Sequence, residues 1–134
     1  MDLLKKDDRD YFAKNLFVKE LKPSDFDPVA TWALKDKNCS IVLFYAPWCG
    51  YCKAVKEEWI KLGKIATFME VCSFNCEKYK GHLEKIQHDM PQLVRSYPTI
   101  IFYKHGNPVE QYDGDRTYQN LLKACMRVCK EGRS

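Results

Sequence analysis

The stretch Trp48-Cys49-Gly50-Tyr51-Cys52 determines how the rest of the chain is interpreted. It follows the apolar run Ile41-Val42-Leu43-Phe44-Tyr45 and precedes a long segment with helical periodicity. Two cysteines three positions apart in the first turn of a helix lie on nearly one face, with Cα atoms about 5 Å apart, which is a distance that a disulfide can span. The sequence therefore predicts a pair of cysteines that cycles between two thiols and a disulfide.

The two cysteines are expected to have different roles. Cys49 would lie at the helix start, where unpaired backbone N–H groups and the positive end of the helix dipole favour a thiolate, so it is the predicted attacking sulfur. Cys52, one turn further in, would be less exposed and would act second. Such a pair can also be half of a zinc site, or two small apolar side chains. The strand directly before it and the helix directly after it favour the redox interpretation.

Three motifs in this order resemble the thioredoxin superfamily. Residues 46–53 are similar to its active-site segment and, with Phe44-Tyr45 before them, resemble most a catalytic domain of protein disulfide isomerase. Ser96-Tyr97-Pro98-Thr99-Ile100 resembles the cis-proline segment, and Tyr112-Asp113-Gly114-Asp115-Arg116 resembles the isomerases' Tyr-x-Gly-x-Arg. The resemblance implies an α/β protein with the thioredoxin fold, in which a central mixed sheet of four to five strands has helices on both faces.

By this resemblance, the residues that support the cysteine pair are Trp48, Gly50, Tyr51, Tyr97, Pro98 and Arg116. In the family the proline corresponding to Pro98 follows a cis peptide bond and faces the dithiol, and the backbone before it pairs with the substrate chain. A proline here can also merely begin an edge strand. Trp48 would shield the sulfurs, or belong to the core. Arg116 would assist ionisation of Cys52, or would be a solvated arginine at a helix start.

Tyr51 stands where isomerases usually carry a histidine, whose positive charge can stabilise the thiolate. A phenol is neutral at physiological pH and offers at most a hydrogen bond. Because a less stabilised thiolate favours the disulfide form, we expect a more reducing couple than that of the isomerases.

A second departure from the family pattern concerns proton transfer. Six residues before Cys49, where relatives keep a buried acid that takes the proton of the second cysteine, this chain has Leu43. The lysine that usually partners the acid aligns with Ser73, so both halves of a buried charged pair are replaced together, which avoids an unpaired charge. Resolution by Cys52 is therefore expected to be slow, or to depend on water or on Arg116.

Composition limits the size and the class of the protein. A chain of 134 residues, 46% hydrophobic and 30% charged, suits one domain with a sizeable core. The formal net charge is +4, with basic and acidic residues interspersed, which gives no support to nucleic-acid binding. Seven cysteines cannot all pair within one chain.

The ends of the chain bear on its organisation and localisation. Residues 1–14 are strongly charged and predict an arm or a short helix, followed by a thioredoxin-like domain over residues 15–134. The first residues lack the apolar stretch of a secretory signal, the last four are not a retrieval signal, and no run is long enough to cross a membrane. As written, the sequence predicts a cytoplasmic or other reducing compartment, although the isomerase-like motifs leave the secretory pathway open if a leader has been removed.

Periodicity predicts the remaining elements. Strands are expected at 15–21, 39–45, 69–75, 98–103 and 109–112, with a hairpin turn at 104–107. A helix is expected to begin at Pro28 with Asp27 as its N-cap, another to cover 50–67 with Gly63 weakening it, and a last one to run from the cap Thr117 to Gly132. Residues 76–94 predict a polar, partly helical connection.

Four other cysteines form two Cys-x-x-x-Cys pairs, Cys72 with Cys76 and Cys125 with Cys129. Zinc ligands usually lie in loops with recognisable spacing, so each of these cysteines fits better as a small buried side chain than as a metal ligand. No metal site is predicted. The pairing state of these four and of Cys39 is left open.

The sequence thus predicts a thiol–disulfide oxidoreductase that acts on protein disulfides. Cys49 attacks a substrate disulfide, and Cys52 releases the reduced product and leaves the pair oxidised. The predicted partners are proteins with disulfides or dithiols and a recycling redox partner, with no nucleic acid, no membrane and no metal or organic cofactor.

Two alternatives stay open. The first is a glutaredoxin-like protein that uses glutathione or holds an iron–sulfur cluster; Tyr51 is compatible with it, whereas Trp48 and Tyr97 are not typical. The second is a non-enzymatic adaptor that binds a partner on the surface formed by Trp48 and Pro98, since Leu43 cannot accept a proton. The direction of the reaction depends on the potential of the couple against its compartment.

Overall fold

The computed structural model describes residues 11–131. The first elements are strand β1 (Lys19–Glu20), a short 3-10 helix (Pro23–Asp25), strand β2 (Ser40–Tyr45), helix α1 (Gly50–Ile65) and strand β3 (Glu70–Asn75). The following elements are helix α2 (Lys80–Asp89), strands β4 (Thr99–Lys104) and β5 (Asn107–Gln111), helix α3 (Tyr118–Cys125) and a π-helical turn (Met126–Glu131).

The five strands form one mixed sheet in the order β1-β3-β2-β4-β5. Strands β1 and β2 pair parallel with β3, whereas β4 runs antiparallel to β2, and β5 antiparallel to β4. Strand β2 is central, and all six of its residues are buried, which explains its nearly continuous apolar sequence. The expected central strand and the thioredoxin fold are confirmed.

Alternate residues of β2 point to opposite faces of the sheet and so divide the core into two layers. Ile41, Leu43 and Tyr45 pack in one layer with α1 and α3. Val42 and Phe44 pack in the other layer, to which α2 contributes. Helices therefore cover both faces, as expected.

The part of the predicted N-terminal arm that the structure describes packs into the core. Residues 11–14 form a turn. Tyr11 and Phe12 are buried, and the Tyr11 ring stacks on that of Tyr45 with centroids 4.5 Å apart. The rest of the arm and the predicted helix end at Gly132 lie outside the described residues.

The helix expected to begin at Pro28 does not form, so this prediction was wrong. The Asp27 carboxylate does accept hydrogen bonds from the backbone N–H groups of Val29 and Ala30, at 2.8 and 2.9 Å, as an N-cap would. However, the N–H of Asp27 donates to the carbonyl of Ala33 at 2.8 Å, so the chain folds back on itself. Val29 is exposed, and a short helix without a buried apolar face is not stable.

Cys39 and Cys129 form a disulfide, with Cα atoms 5.7 Å apart. The bond joins the residue before β2 to the π-helical turn after α3, across a sequence separation of 90. The disulfide settles the pairing state of Cys39 and Cys129, which the sequence left open because the two residues are remote in the chain. The five free cysteines are all buried: Cys49, Cys52, Cys72, Cys76 and Cys125.

Gly63, which was expected to weaken α1, is required by a close approach of two backbones. A Cβ atom built on Gly63 would lie 2.3 Å from the backbone oxygen of Phe17. The helix thus passes the segment before β1 at a distance that only glycine permits.

We expect Gly63→Ala to lower the free energy of unfolding by about 1–3 kcal/mol, as overpacking does, because the Phe17 backbone cannot move aside like a flexible side chain. Gly81→Ala is the matched control. Gly81 is also helical, but nothing lies within 4 Å of a Cβ atom built on it, so alanine should be neutral or stabilise by up to about 1 kcal/mol. Denaturant unfolding measures both variants, and equal stabilities would contradict the close approach.

Candidate active site

The two predicted cysteines lie at the carboxyl end of β2, where the chain turns into α1. Cys49 is the N-cap of the helix, and Cys52 lies in its first turn. Cys49 retains 7% of its surface, whereas Cys52 is completely buried. Of the two cysteines, only Cys49 therefore keeps some exposed surface, which is the placement that the sequence predicts.

The Cys49 sulfur has two backbone partners. The N–H of Cys52 donates to it at 3.2 Å, and its own thiol donates to the carbonyl oxygen of Tyr97 at 3.6 Å. The first bond stabilises a thiolate, because the N–H dipole points at the sulfur, whereas the second requires the protonated thiol. Ionisation of Cys49 therefore keeps the first bond and releases the Tyr97 carbonyl from the second.

Cys52 is held in its protonated form. Burial raises the pKa of its thiol to about 12, and the hydrogen bond with Cys49 acts in the same direction. The backbone of Ala46 and the positive charge of Arg116 oppose this rise in pKa, with smaller effects. Cys52 must lose a proton before it can attack a sulfur.

Leu43 and Ser73, which by the resemblance stand in place of a buried acid and its lysine partner, lie opposite each other. Leu43 and Ser73 are paired in the parallel ladder between β2 and β3, and both are fully buried. Leu43 packs in the same core layer as Cys52. An apolar side chain in this layer cannot accept the Cys52 proton.

The Tyr97–Pro98 peptide bond is cis, as the resemblance implies. Tyr97 directs its carbonyl to Cys49, and its ring packs edge-on against Trp48 with centroids 5.9 Å apart. Trp48 is 65% exposed, and its Nε1 donates to Glu77 at 3.1 Å. Trp48 is therefore a surface residue beside the cysteines and not part of the core.

Arg116, Tyr51 and Gly50 lie on the exposed surface around the pair. Arg116 is exposed, as a solvated arginine would be, and is still close enough to influence Cys52. It shares a groove of about 520 Å³ with Tyr51. Nothing lies within 4 Å of a Cβ built on Gly50, so this position is open to solvent or substrate.

Two residues beside the site carry no signal in the sequence. The Tyr97 hydroxyl donates a hydrogen bond to the Cys76 sulfur, and burial raises the pKa of both groups. The Tyr11 hydroxyl donates to the carbonyl of Pro47 at 3.1 Å. Both contacts join segments that are remote in the chain, so no local motif could reveal them.

Among the described residues, no group of three or more His, Cys, Asp or Glu side chains could hold a metal ion. Over the same range, no helix combines the length and the apolar character needed to span a bilayer.

A cysteine pair at a strand-to-helix junction, opposite a cis-proline on a mixed sheet, defines the class of thioredoxin-fold proteins. The chain belongs to the thioredoxin family, whose model, Thioredoxin, matches residues 17–127. The resemblance found in the sequence is thereby confirmed.

The curated relatives are protein disulfide-isomerases. Protein disulfide-isomerase 5-2 of Arabidopsis thaliana is 35% identical over 118 residues, which cover 85% of this chain and 24% of the relative. Protein disulfide-isomerase A5 of Mus musculus is 36% identical over 100 residues, which cover 74% of this chain and 19% of the relative. The chain thus spans a quarter or less of the length of these relatives. They support thiol–disulfide oxidoreductase chemistry at the level of the family.

Solved structures share the fold. The J-Trx1 fragment of ERdj5 superposes with a TM-score of 0.72 at 21% identity, over 90% of this chain and 55% of that chain. Human ERp44 form II gives a TM-score of 0.63 at 16% identity, over 82% of this chain and 29% of that chain.

The two cysteines should differ in their reaction with an alkylating agent in the folded, reduced protein. At about pH 9, Cys49 should be modified and Cys52 protected, because burial and the bond to Cys49 raise the pKa of Cys52 to about 12, so its thiolate forms only at higher pH. Mass spectrometry locates the label. In Cys49→Ser, the loss of the neighbouring sulfur should shift modification of Cys52 to lower pH. Equal rates for both cysteines of the wild type at every pH would contradict the assignment.

Proposed function

We propose that this domain is a thiol–disulfide oxidoreductase that exchanges disulfides with protein substrates through Cys49 and Cys52. The observation that carries the proposal is the position of Cys49, whose sulfur accepts the Cys52 N–H and donates to the Tyr97 carbonyl, and which is the more exposed residue of the pair. The family relationship favours this function over a glutaredoxin-like protein.

The proposed reaction has two exchange steps. The Cys49 thiolate attacks one sulfur of a substrate disulfide, the substrate S–S bond breaks, and the leaving sulfur departs with the electron pair and takes up a proton. The Cys52 thiolate then attacks the Cys49 sulfur of the mixed disulfide and releases the second substrate thiol. The substrate gains two electrons, and Cys49 and Cys52 end as a disulfide, which a recycling dithiol must reduce. Run backwards, the same steps oxidise a dithiol.

An extended polypeptide suits the surface around Cys49. When Cys49 ionises, the Tyr97 carbonyl loses its thiol donor, and a backbone N–H of the substrate can take its place. Trp48, whose ring packs against that of Tyr97, is 65% exposed, and Tyr51, two residues after Cys49, is 73% exposed, so both offer apolar contact area around the site. These features support a protein substrate over a small thiol.

We also propose that the domain works in an oxidising compartment. The Cys39–Cys129 bond supports this, because disulfides persist in such compartments and are rare in the cytosol. The sequence alone led us to expect a reducing compartment.

If thiols are trapped by alkylation in the living cell before the protein is isolated, Cys39 and Cys129 should remain unmodified until the protein is reduced. Cys125 is the internal control, because it is a free cysteine on α3, the helix that leads into the turn with Cys129. It should be modified as soon as the protein is unfolded, without reduction. Modification of Cys39 and Cys129 together with Cys125 would exclude the oxidising compartment.

Reduction of insulin by a small dithiol reductant tests the activity. We expect turnover by the wild type and none above the uncatalysed rate for Cys49→Ser, because the attacking sulfur is lost. Cys52→Ser should accumulate a mixed disulfide with insulin, since the second step is blocked. Cys72→Ala is the matched control, because Cys72 is also a buried free cysteine but packs in the other core layer. This variant should keep most of the activity. Absence of turnover in the wild type would favour a non-enzymatic adaptor.

A further inference from the structure

Tyr11 reaches the active-site loop from outside the part of the chain that the thioredoxin family model matches, which begins at residue 17. Its side chain is buried, with 6% of its surface exposed, and its hydroxyl donates to the carbonyl of Pro47 at 3.1 Å. Because Pro47 directly precedes Trp48 and Cys49, this bond links the first described residue to the segment that carries the attacking sulfur.

Two further contacts determine the position of the Tyr11 ring. The ring stacks on Tyr45 with centroids 4.5 Å apart, and Lys56 Nζ lies 5.3 Å from its centroid. Tyr45 ends β2 and Lys56 belongs to α1, which are the two elements that the loop connects. Tyr11 therefore contacts the strand, the loop and the helix together.

The Pro47 carbonyl belongs to the central peptide of a turn. The N–H of Cys49 donates to the carbonyl of Ala46 at 3.0 Å, so these two residues close a β-turn with Pro47 and Trp48 at its centre. β-turns with proline in the second position occur in two types that differ in the orientation of the central peptide. Trp48 does not have a positive φ, so the turn is of type I. The hydrogen bond from Tyr11 restrains the carbonyl of its central peptide, and Trp48 takes its direction from the same peptide.

We propose that Tyr11 is a positioning residue for the dithiol, whose hydroxyl fixes the peptide between Pro47 and Trp48. The fixed peptide keeps Trp48 packed against Tyr97 and aligns the Cys49 sulfur with the Tyr97 carbonyl. The catalytic consequence rests on the proposed function, whereas the effect on the position of Trp48 does not. Without the hydroxyl, the central peptide is less restrained within its turn, and fewer molecules hold Cys49 aligned for attack on a bound chain.

Tyr11→Phe tests the proposal, with Tyr103→Phe as the matched control. Each substitution removes only a hydroxyl that donates to a backbone carbonyl, since Tyr103 donates to Trp32 at 2.8 Å. Tyr103 packs in the core layer on the opposite face of the sheet from Cys49, so its hydroxyl should affect stability alone. Lys56→Met is a second control, which removes the charge near the Tyr11 ring and leaves the hydroxyl in place.

We expect Tyr11→Phe to lower kcat/KM for insulin roughly three- to tenfold, the factor that corresponds to one hydrogen bond. The rate with a small symmetrical disulfide should stay within about twofold of the wild type, because such a substrate does not depend on alignment with Trp48 and the Tyr97 carbonyl. Both controls should keep both rates within about twofold. In NMR spectra, the Trp48 indole N–H signal should shift in Tyr11→Phe and stay in place in Tyr103→Phe.

Equal insulin rates for Tyr11→Phe and Tyr103→Phe would overturn the proposal, and so would an equal fall with both substrates, since that pattern indicates a structural role alone. If the wild type does not reduce insulin, the proposed function fails, and the NMR comparison still decides on Tyr11. A Trp48 signal that stays in place in Tyr11→Phe would then overturn the positioning role.

Discussion

Burial of strand β2 on both faces is the constraint on which the rest of the structure depends. Its alternate residues fill two core layers, so neither face of the strand is exposed to solvent. The residues that can meet another molecule therefore lie beyond the ends of the strand. At the carboxyl end a β-turn over residues 46–49 leads into α1, and the N–H of Cys52 points at the Cys49 sulfur. The reactivity of the pair thus originates in backbone geometry, and nearby side chains adjust it.

Features encoded by neighbouring residues could be predicted from the sequence, and contacts between remote segments could not. The central strand, α1 and the hairpin follow from local periodicity, and the family motifs place Cys49 beside Pro98. At Asp27 the capping hydrogen bonds form as predicted, yet the chain folds back, with the N–H of Asp27 bonded to the carbonyl of Ala33, and Leu34 is buried without a helix. The Cys39–Cys129 bond depends on three-dimensional proximity that no pattern in the sequence expresses.

The two steps of the proposed reaction have unequal support from the protein. Cys49 receives a backbone N–H that favours its charged form, whereas burial and the neighbouring sulfur oppose ionisation of Cys52. Leu43 packs in the same core layer as Cys52 and cannot accept a proton, and its partner across the strands, Ser73, is neutral. For the proposed reaction we therefore expect a mixed disulfide to form more readily than it is resolved, with its lifetime set by proton removal from Cys52.

The Cys39–Cys129 bond and the reactive pair lie at opposite ends of the same strand. Cys39 precedes the first residue of β2 and Cys49 follows its last, so six strand residues, about 20 Å, separate the two sulfur sites. The Cys49 sulfur therefore cannot reach the Cys39–Cys129 disulfide of the same molecule. If Cys49 and Cys52 exchange disulfides as proposed, the length of β2 keeps that exchange away from the Cys39–Cys129 bond, so the structural cross-link is not a substrate of its own molecule.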